Sequence, residues 1–151
     1  MSQLTTLLQV FDPISLKEMD SVKLQDRIDT KFMFKDSVLP ELFKQMSEHY
    51  KVLAIEGQRF NHYETLYFDT EKFNLYIRHH NGKANRFKFR SRRYVESNLN
   101  FFEVKFKNNK GRTIKDRIKR PEIVKIIADK SKALVESISN VDPNSLEPKL
   151  W

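Results

Sequence analysis

Phe87-Lys88-Phe89-Arg90-Ser91-Arg92-Arg93-Tyr94, followed by Phe101-Phe102-Glu103-Val104-Lys105-Phe106-Lys107, is the stretch whose reading decides the fold. Both segments alternate. In a β-strand, side chains i and i+2 share a face. Lys88, Arg90 and Arg92 therefore project together, with Phe87 and Phe89 opposite. In the second segment Glu103, Lys105 and Lys107 share a face, with Phe102, Val104 and Phe106 opposite. Apolar side chains on one side and cations on the other describe a half-buried sheet. A row of like charges at this density repels itself, so it is suited to a polyanionic partner.

Working outward, Ser97-Asn98 turns the first strand (about residues 84–95) into the second (100–107). Asn108-Asn109-Lys110-Gly111 then turns into a third (112–119), where Lys115 and Arg117 share a face. Residues 84–119 are thus expected to form an antiparallel meander. Asn81-Gly82 is a strong hairpin signal, so residues 70–78 are read as the strand before it. Further upstream, residues 52–56 and 61–69 read as strands joined at Gly57-Gln58. Residues 24–34 alternate, with Arg27, Asp29 and Lys31 on one face and Ile28, Phe32 and Phe34 on the other. Helices are expected at residues 3–11, from the Ser15/Glu18 capping box toward Val22, at about 38–50 behind Pro40, and at 121–139 behind Pro121. The tail Glu147-Pro148-Lys149-Leu150-Trp151 follows without an assigned element. The fold class is α+β: an antiparallel sheet flanked by helices, read as a single domain over residues 1–151, with N-terminal helices in 1–22 and strands spread over 24–119.

Composition narrows the partners. Lys plus Arg number 28 against 20 Asp plus Glu, a net charge of +8 in 151 residues. That favours phosphate-rich partners: nucleotides, nucleic acid, phosphate chains or anionic lipid. The absence of Cys excludes disulfides and thiolate metal sites. No apolar run approaches the roughly 20 residues that cross a bilayer, and no signal peptide is evident. The expectation is a soluble, cytoplasmic protein.

Nucleophilic and nucleotide-loop chemistries find no support. His49, His62, His79 and His80 accompany no Ser or Cys motif, and no Gly-rich phosphate loop exists. The cationic strands remain. If the sheet curls, its cations converge on one channel and neutralise a phosphate chain from several sides, with Glu103 and Asp29 as candidate carboxylates for a divalent metal. Phosphoryl transfer needs little beyond positioning and charge neutralisation.

Three motifs in order resemble the VTC domains of the triphosphate tunnel, or CYTH-like, superfamily: Arg27-Ile28-Asp29-Thr30-Lys31-Phe32; Thr65-Leu66-Tyr67-Phe68-Asp69-Thr70 with Tyr76; and Arg90-Ser91-Arg92-Arg93-Tyr94 with Phe102-Glu103-Val104-Lys105. The resemblance covers roughly residues 15–120. It implies an antiparallel β-tunnel that binds ATP or triphosphate with a divalent metal, Mn or Mg, and passes the terminal phosphoryl group to a growing polyphosphate chain. By matching positions, Arg27, Lys31, Arg90, Arg92 and Lys105 line the tunnel and hold phosphates, with Arg90, Arg92 and Lys105 as its catalytic cations. Lys88, Lys115 and Arg117 join them as further phosphate ligands, and Glu103 with Asp29 as metal ligands. Two departures stand out. Arg27 replaces the first acid of the superfamily's Glu-x-Glu-x-Lys strand and Asp29 the second. The chain also reads as an incomplete domain holding half a tunnel, so two copies pairing edge to edge are an expected homodimer. A membrane-protein partner is a further expectation.

Two other readings use the same cations. One is a non-enzymatic binder of polyphosphate or nucleoside triphosphate. The other is a single-stranded RNA binder, which needs aromatics exposed among the cations. Phe87, Phe89, Phe102 and Phe106 fall on the opposite face, which disfavours nucleic acid.

Overall fold

A computed structural model describes residues 3–19 and 30–151. The readings made on Val22, Leu24, Arg27, Ile28 and Asp29 lie outside these residues. The chain divides into two compact units, Met1–Asn61 and His62–Trp151.

In the first unit a short helix, α1 (Gln3–Leu7), tightens into a 3₁₀ turn, Leu8–Val10. Strand β1 (Pro13–Ile14) pairs in parallel with β2 (Val52–Leu53). Strand β2 is shorter than the expected 52–56. The turn at Gly57-Gln58 forms: Glu56 and Gly57, both at positive φ, close it, and Ile55 and Gln58 exchange backbone bonds of 3.0 and 2.8 Å. The capping box forms as expected: Glu18 Oε2 accepts from Ser15 N at 2.8 Å, and Ser15 Oγ accepts from Glu18 N at 3.3 Å, opening α2 (Leu16–Met19). Helix α3 (Leu39–Met46) carries Pro40 in its first turn. It stops short of Tyr50 because the Ser47 hydroxyl takes the Lys44 carbonyl at 2.8 Å, competing with helix continuation. Phe11 is buried edge-on against Phe43, and Arg59 Nη1 donates to the Phe11 and Leu8 carbonyls at 2.7 and 3.0 Å. Residues 30–34 form no strand. Alternation alone does not make one: a strand needs a ladder partner, and no described strand pairs with this segment.

The second unit is built on a five-stranded antiparallel sheet. Its strands are β3 (Tyr63–Asp69), β4 (Arg86–Tyr94), β5 (Leu99–Lys107), β6 (Thr113–Arg120) and β7 (Glu147–Leu150), in the order β6-β5-β4-β3-β7. Among the described residues, β6 and β7 stand at the two ends of this order. The meander β4-β5-β6 forms within one or two residues of its expected bounds. One face carries the core: Leu66, Phe68, Phe89, Phe102 and Val104, closed over by Val124, Val135 and Leu146. Burying each large apolar side chain is worth about 1.5–3 kcal/mol, so this face fixes the register.

Three elements differ from the sequence expectation. Residues 74–80 are a helix, α4 (Asn74–His80), rather than a strand. The buried Asp69 carboxylate accepts from the backbone N–H of Thr70, Leu75 and Tyr76 at 2.7, 2.9 and 2.8 Å, satisfying first-turn donors that otherwise have no partner. Asn81-Gly82 then ends a helix instead of turning a hairpin. Gly82 sits at φ 64 and donates to the His79 carbonyl at 3.1 Å, and Lys83 N donates to the Arg78 carbonyl at 3.0 Å. Second, the last helix, α5 (Asp129–Ile138), starts eight residues after Pro121. Two backbone groups of residues 121–128 are held by sheet side chains: Val124 N donates to the fully buried Ser91 Oγ at 2.7 Å, and the Pro121 carbonyl accepts from Asn100 Nδ2 at 3.2 Å. Third, the tail is strand β7, paired with β3 at the edge of the sheet. Its proline, which lacks an N–H to donate, is tolerated there.

Ser91→Ala should leave the Val124 N–H buried without a partner and cost about 1–3 kcal/mol. Denaturant unfolding with amide exchange at Val124 checks this; unchanged protection at Val124 would remove Ser91 as the anchor of residues 121–128.

Candidate functional site

The face of the sheet opposite the core is ordered in rungs. Strand register places Lys88 opposite Lys105, and Lys105 opposite Lys115. The next rung is Tyr67, Arg90, Glu103 and Arg117, and the one after it Thr65, Arg92, Phe101 and Lys119. Directly opposed residues share a face at strand spacings of about 4.8 Å. Lys88, Arg90, Arg92, Lys105, Lys115 and Arg117 are therefore brought together on one surface, as the alternation predicts. Lys31 is exposed in an irregular segment of the first unit and belongs to no strand of this sheet. Arg27 and Asp29 lie outside the described residues.

The rungs are tied internally. Arg90 Nε donates to Glu103 Oε2 at 2.5 Å. Burial works against the Arg90 charge, but hydrogen bonds to Tyr67 and Glu103 outweigh it and hold the guanidinium above its ordinary value. Arg92 Nε donates to Thr65 Oγ1 at 3.1 Å. Nε of each guanidinium is thus fixed by a neighbour, with Tyr67 a further partner of Arg90, and the planar fork of an arginine suits an oxyanion.

The cross-strand pairs of the lysine rung set amine against amine. Like charges facing each other across strands are destabilising, and the strain shows in proton affinity. Desolvation, then Lys115, Lys88, Arg90 and Lys107, push the Lys105 amine below its ordinary value. His79, at the end of α4, stands with Nε2 3.3 Å from Lys88 Nζ. Desolvation and the cations Lys88, Arg86, Lys105 and Lys107 hold its imidazole low as well. A neutral His79 accepts from the Lys88 ammonium.

Sequence reasoning missed His79 because it placed residues 70–78 in a strand. It also missed Arg86 and Lys119, which lie on the cationic face at its two ends, and Tyr67 and Thr65, which hold Arg90 and Arg92. Only the pairing of β3 with β4 reveals those last two.

Of the carboxylates proposed for a metal, Glu103 is paired with Arg90. Among the described residues no group of three or more His, Cys, Asp or Glu is arranged to hold a metal ion. Glu103 alone falls short of the oxygen donor set of a divalent-cation site. No helix among the described residues is long and apolar enough to cross a membrane.

A family model described as "VTC domain" matches residues 26–151. No curated protein and no solved structure matches the chain.

A polyanion on this face should raise the proton affinity of His79. Because that affinity is depressed in the free protein, the stability tied to it is present above pH 6.5 and is lost as pH falls through the folded value. Tripolyphosphate binding near pH 6.5 should then take up more protons in the native chain than in His79→Gln. Calorimetry in two buffers of different ionisation enthalpy measures the difference; equal uptake would show that His79 does not feel the ligand.

Proposed function

The chain belongs to the VTC domain family, a polyphosphate-related family, and we propose that its cationic face binds a linear phosphate chain during transfer of the terminal phosphoryl group of ATP to polyphosphate. The observation that carries this reading is the pair of adjacent rungs, Lys88–Lys105–Lys115 and Arg90–Glu103–Arg117, in which five cations meet one carboxylate on one face of one sheet. In the reaction a terminal oxygen of the polyphosphate chain attacks the γ-phosphorus of ATP. The new P–O bond forms, the bond to the β–γ bridging oxygen breaks, and ADP leaves with that electron pair. Arg90, Arg92 and Lys105 neutralise the charge that builds on the transferring group, and Lys88, Lys115 and Arg117 hold the chain. Binding at such a face weakens with added salt.

The resemblance brings a divalent metal, Mn or Mg, to this reaction. The described residues do not complete a site for it, so no step here runs through the metal. That same shortage, with Glu103 held by Arg90, favours a second reading: a binder of polyphosphate or triphosphate without turnover. In either reading a second copy pairing edge to edge would enclose the phosphate chain. A membrane-protein recipient and a cytoplasmic setting complete the proposal.

Incubation with ATP and manganese, followed by a polyphosphate stain on a gel, separates the two readings. Polymer formation supports the transferase; tight tripolyphosphate binding without polymer leaves the binder. In both cases Arg90→Ala with Arg92→Ala should weaken tripolyphosphate binding by roughly 100-fold or more, since each charged hydrogen bond is worth about 1.5–3 kcal/mol. Affinity unchanged in the double variant would remove the assignment of this face.

A further inference from the structure

The cationic face is not purely cationic. Register puts Tyr63 opposite Tyr94, and Phe101 one rung away opposite Arg92, all on the same side of the sheet as Arg90 and Lys105. The rings form one cluster. Tyr63 meets Tyr94 edge to face at 5.0 Å, and Tyr94 meets Phe101 edge to face at 5.9 Å. A guanidinium lies over each outer ring: Arg92 at 5.3 Å from the centre of Tyr63, and Arg117 at 4.5 Å from that of Phe101. The Phe residues of the alternating pattern are on the far face, so this second aromatic set emerges only from the pairing of β3, β4 and β5. Tyr63 is 53% exposed, which leaves much of its surface free to meet a flat ligand.

We propose that Tyr63, Tyr94 and Phe101 form a stacking platform for the base of a nucleoside triphosphate, whose phosphates then run along Arg92 and Arg90 toward the lysine rung. This rests on the reading of the face as a phosphate site and adds an orientation to it. Tyr94 lies one same-face step beyond Arg92, about 7 Å along the strand, a gap the ribose bridges. Arg92 serves both ends. Its guanidinium covers the Tyr63 ring while Thr65 fixes its Nε, so a base stacked on Tyr63 brings the first phosphates within its reach. The lysine rung, about 13 Å further from Arg92 to Lys88, receives the far end of the phosphate chain. Stacking on a ring face accepts any base, because every base has a π-face. A lone nucleotide is the favoured occupant over single-stranded RNA because the ring cluster is confined to one end of the face: Tyr67, in the next rung, is engaged with Arg90, and the Lys88–Lys105–Lys115 rung beyond it carries cations for phosphate.

The test compares ATP with tripolyphosphate on the full chain, by calorimetry at one ionic strength. In the native chain both bind. In Tyr63→Ala the affinity for ATP should fall roughly 5- to 100-fold, the range for loss of one base–aromatic stack, while tripolyphosphate changes less than threefold because Thr65 still holds Arg92. Tyr63→Phe should restore ATP binding. Equal losses for both ligands, or no loss for ATP, would overturn the platform while leaving the phosphate face standing. Failure of tripolyphosphate to bind the native chain would overturn the phosphate face, and with it the orientation proposed here. An oligoadenylate that binds the native chain more tightly than ATP and loses affinity in Tyr63→Ala would assign the platform to RNA and likewise overturn the proposal. Exposure of Tyr63 keeps the variant foldable, and its unfolding midpoint controls for structure.

Discussion

The antiparallel register between β4 and β5 is the constraint on which the second unit depends. It sets Phe89 opposite Val104 on one face and Arg90 opposite Glu103 on the other. A slip of one residue would turn Phe89 and Phe102 outward and drive arginine and lysine into the core. Both phenylalanines are fully buried, so the apolar face enforces the register and the cationic face inherits its order. Lys88, Lys105 and Lys115 face one another, despite their repulsion, because the aromatic core on the reverse side outweighs it.

One strand therefore performs two tasks at alternate positions. In β4, Arg90 and Arg92 serve the cationic face, while Ser91 between them anchors residues 121–128 on the other. The arginines depend on the serine without touching it, since loss of the packed layer would release the strand that aligns them. A similar division explains the Thr65–Thr70 motif. Thr65 and Tyr67 hold arginines, Leu66 and Phe68 fill the core, and Asp69 caps α4. Helix α4 in turn delivers His79 to Lys88. The chemistry of the face is thus fixed by neighbours that carry no positive charge.

Strand alternation and turn residues in 84–119 were legible in the sequence because they are local: period-two patterning and Asn- or Gly-bearing turns act over a few residues. The misreadings share a different cause. Asn-Gly at 81–82 fits a hairpin and a helix end equally well, and the Asp69 carboxylate decided between them from outside the segment. Pro121 permits a helix start, but Ser91 and Asn100 had already claimed the backbone that such a helix would use. Strand β7 contains a proline and too few residues to show a period, so only its pairing with β3 identifies it.

By itself the sequence determined the α+β class, the cationic row on β4 and β5, and the family. The class and the cationic row follow from charge and periodicity, which need no partner to be read; the family follows from the order of the motifs at residues 65–70 and 90–105. Tertiary structure alone decided which cations share a rung, that Glu103 is tied to Arg90, and that His79 stands beside Lys88. It also decided that Tyr63, Tyr94 and Phe101 lie among the cations. Each of these depends on which residue of a distant strand or helix stands opposite, and that choice is made by packing of the buried face, in which none of them takes part.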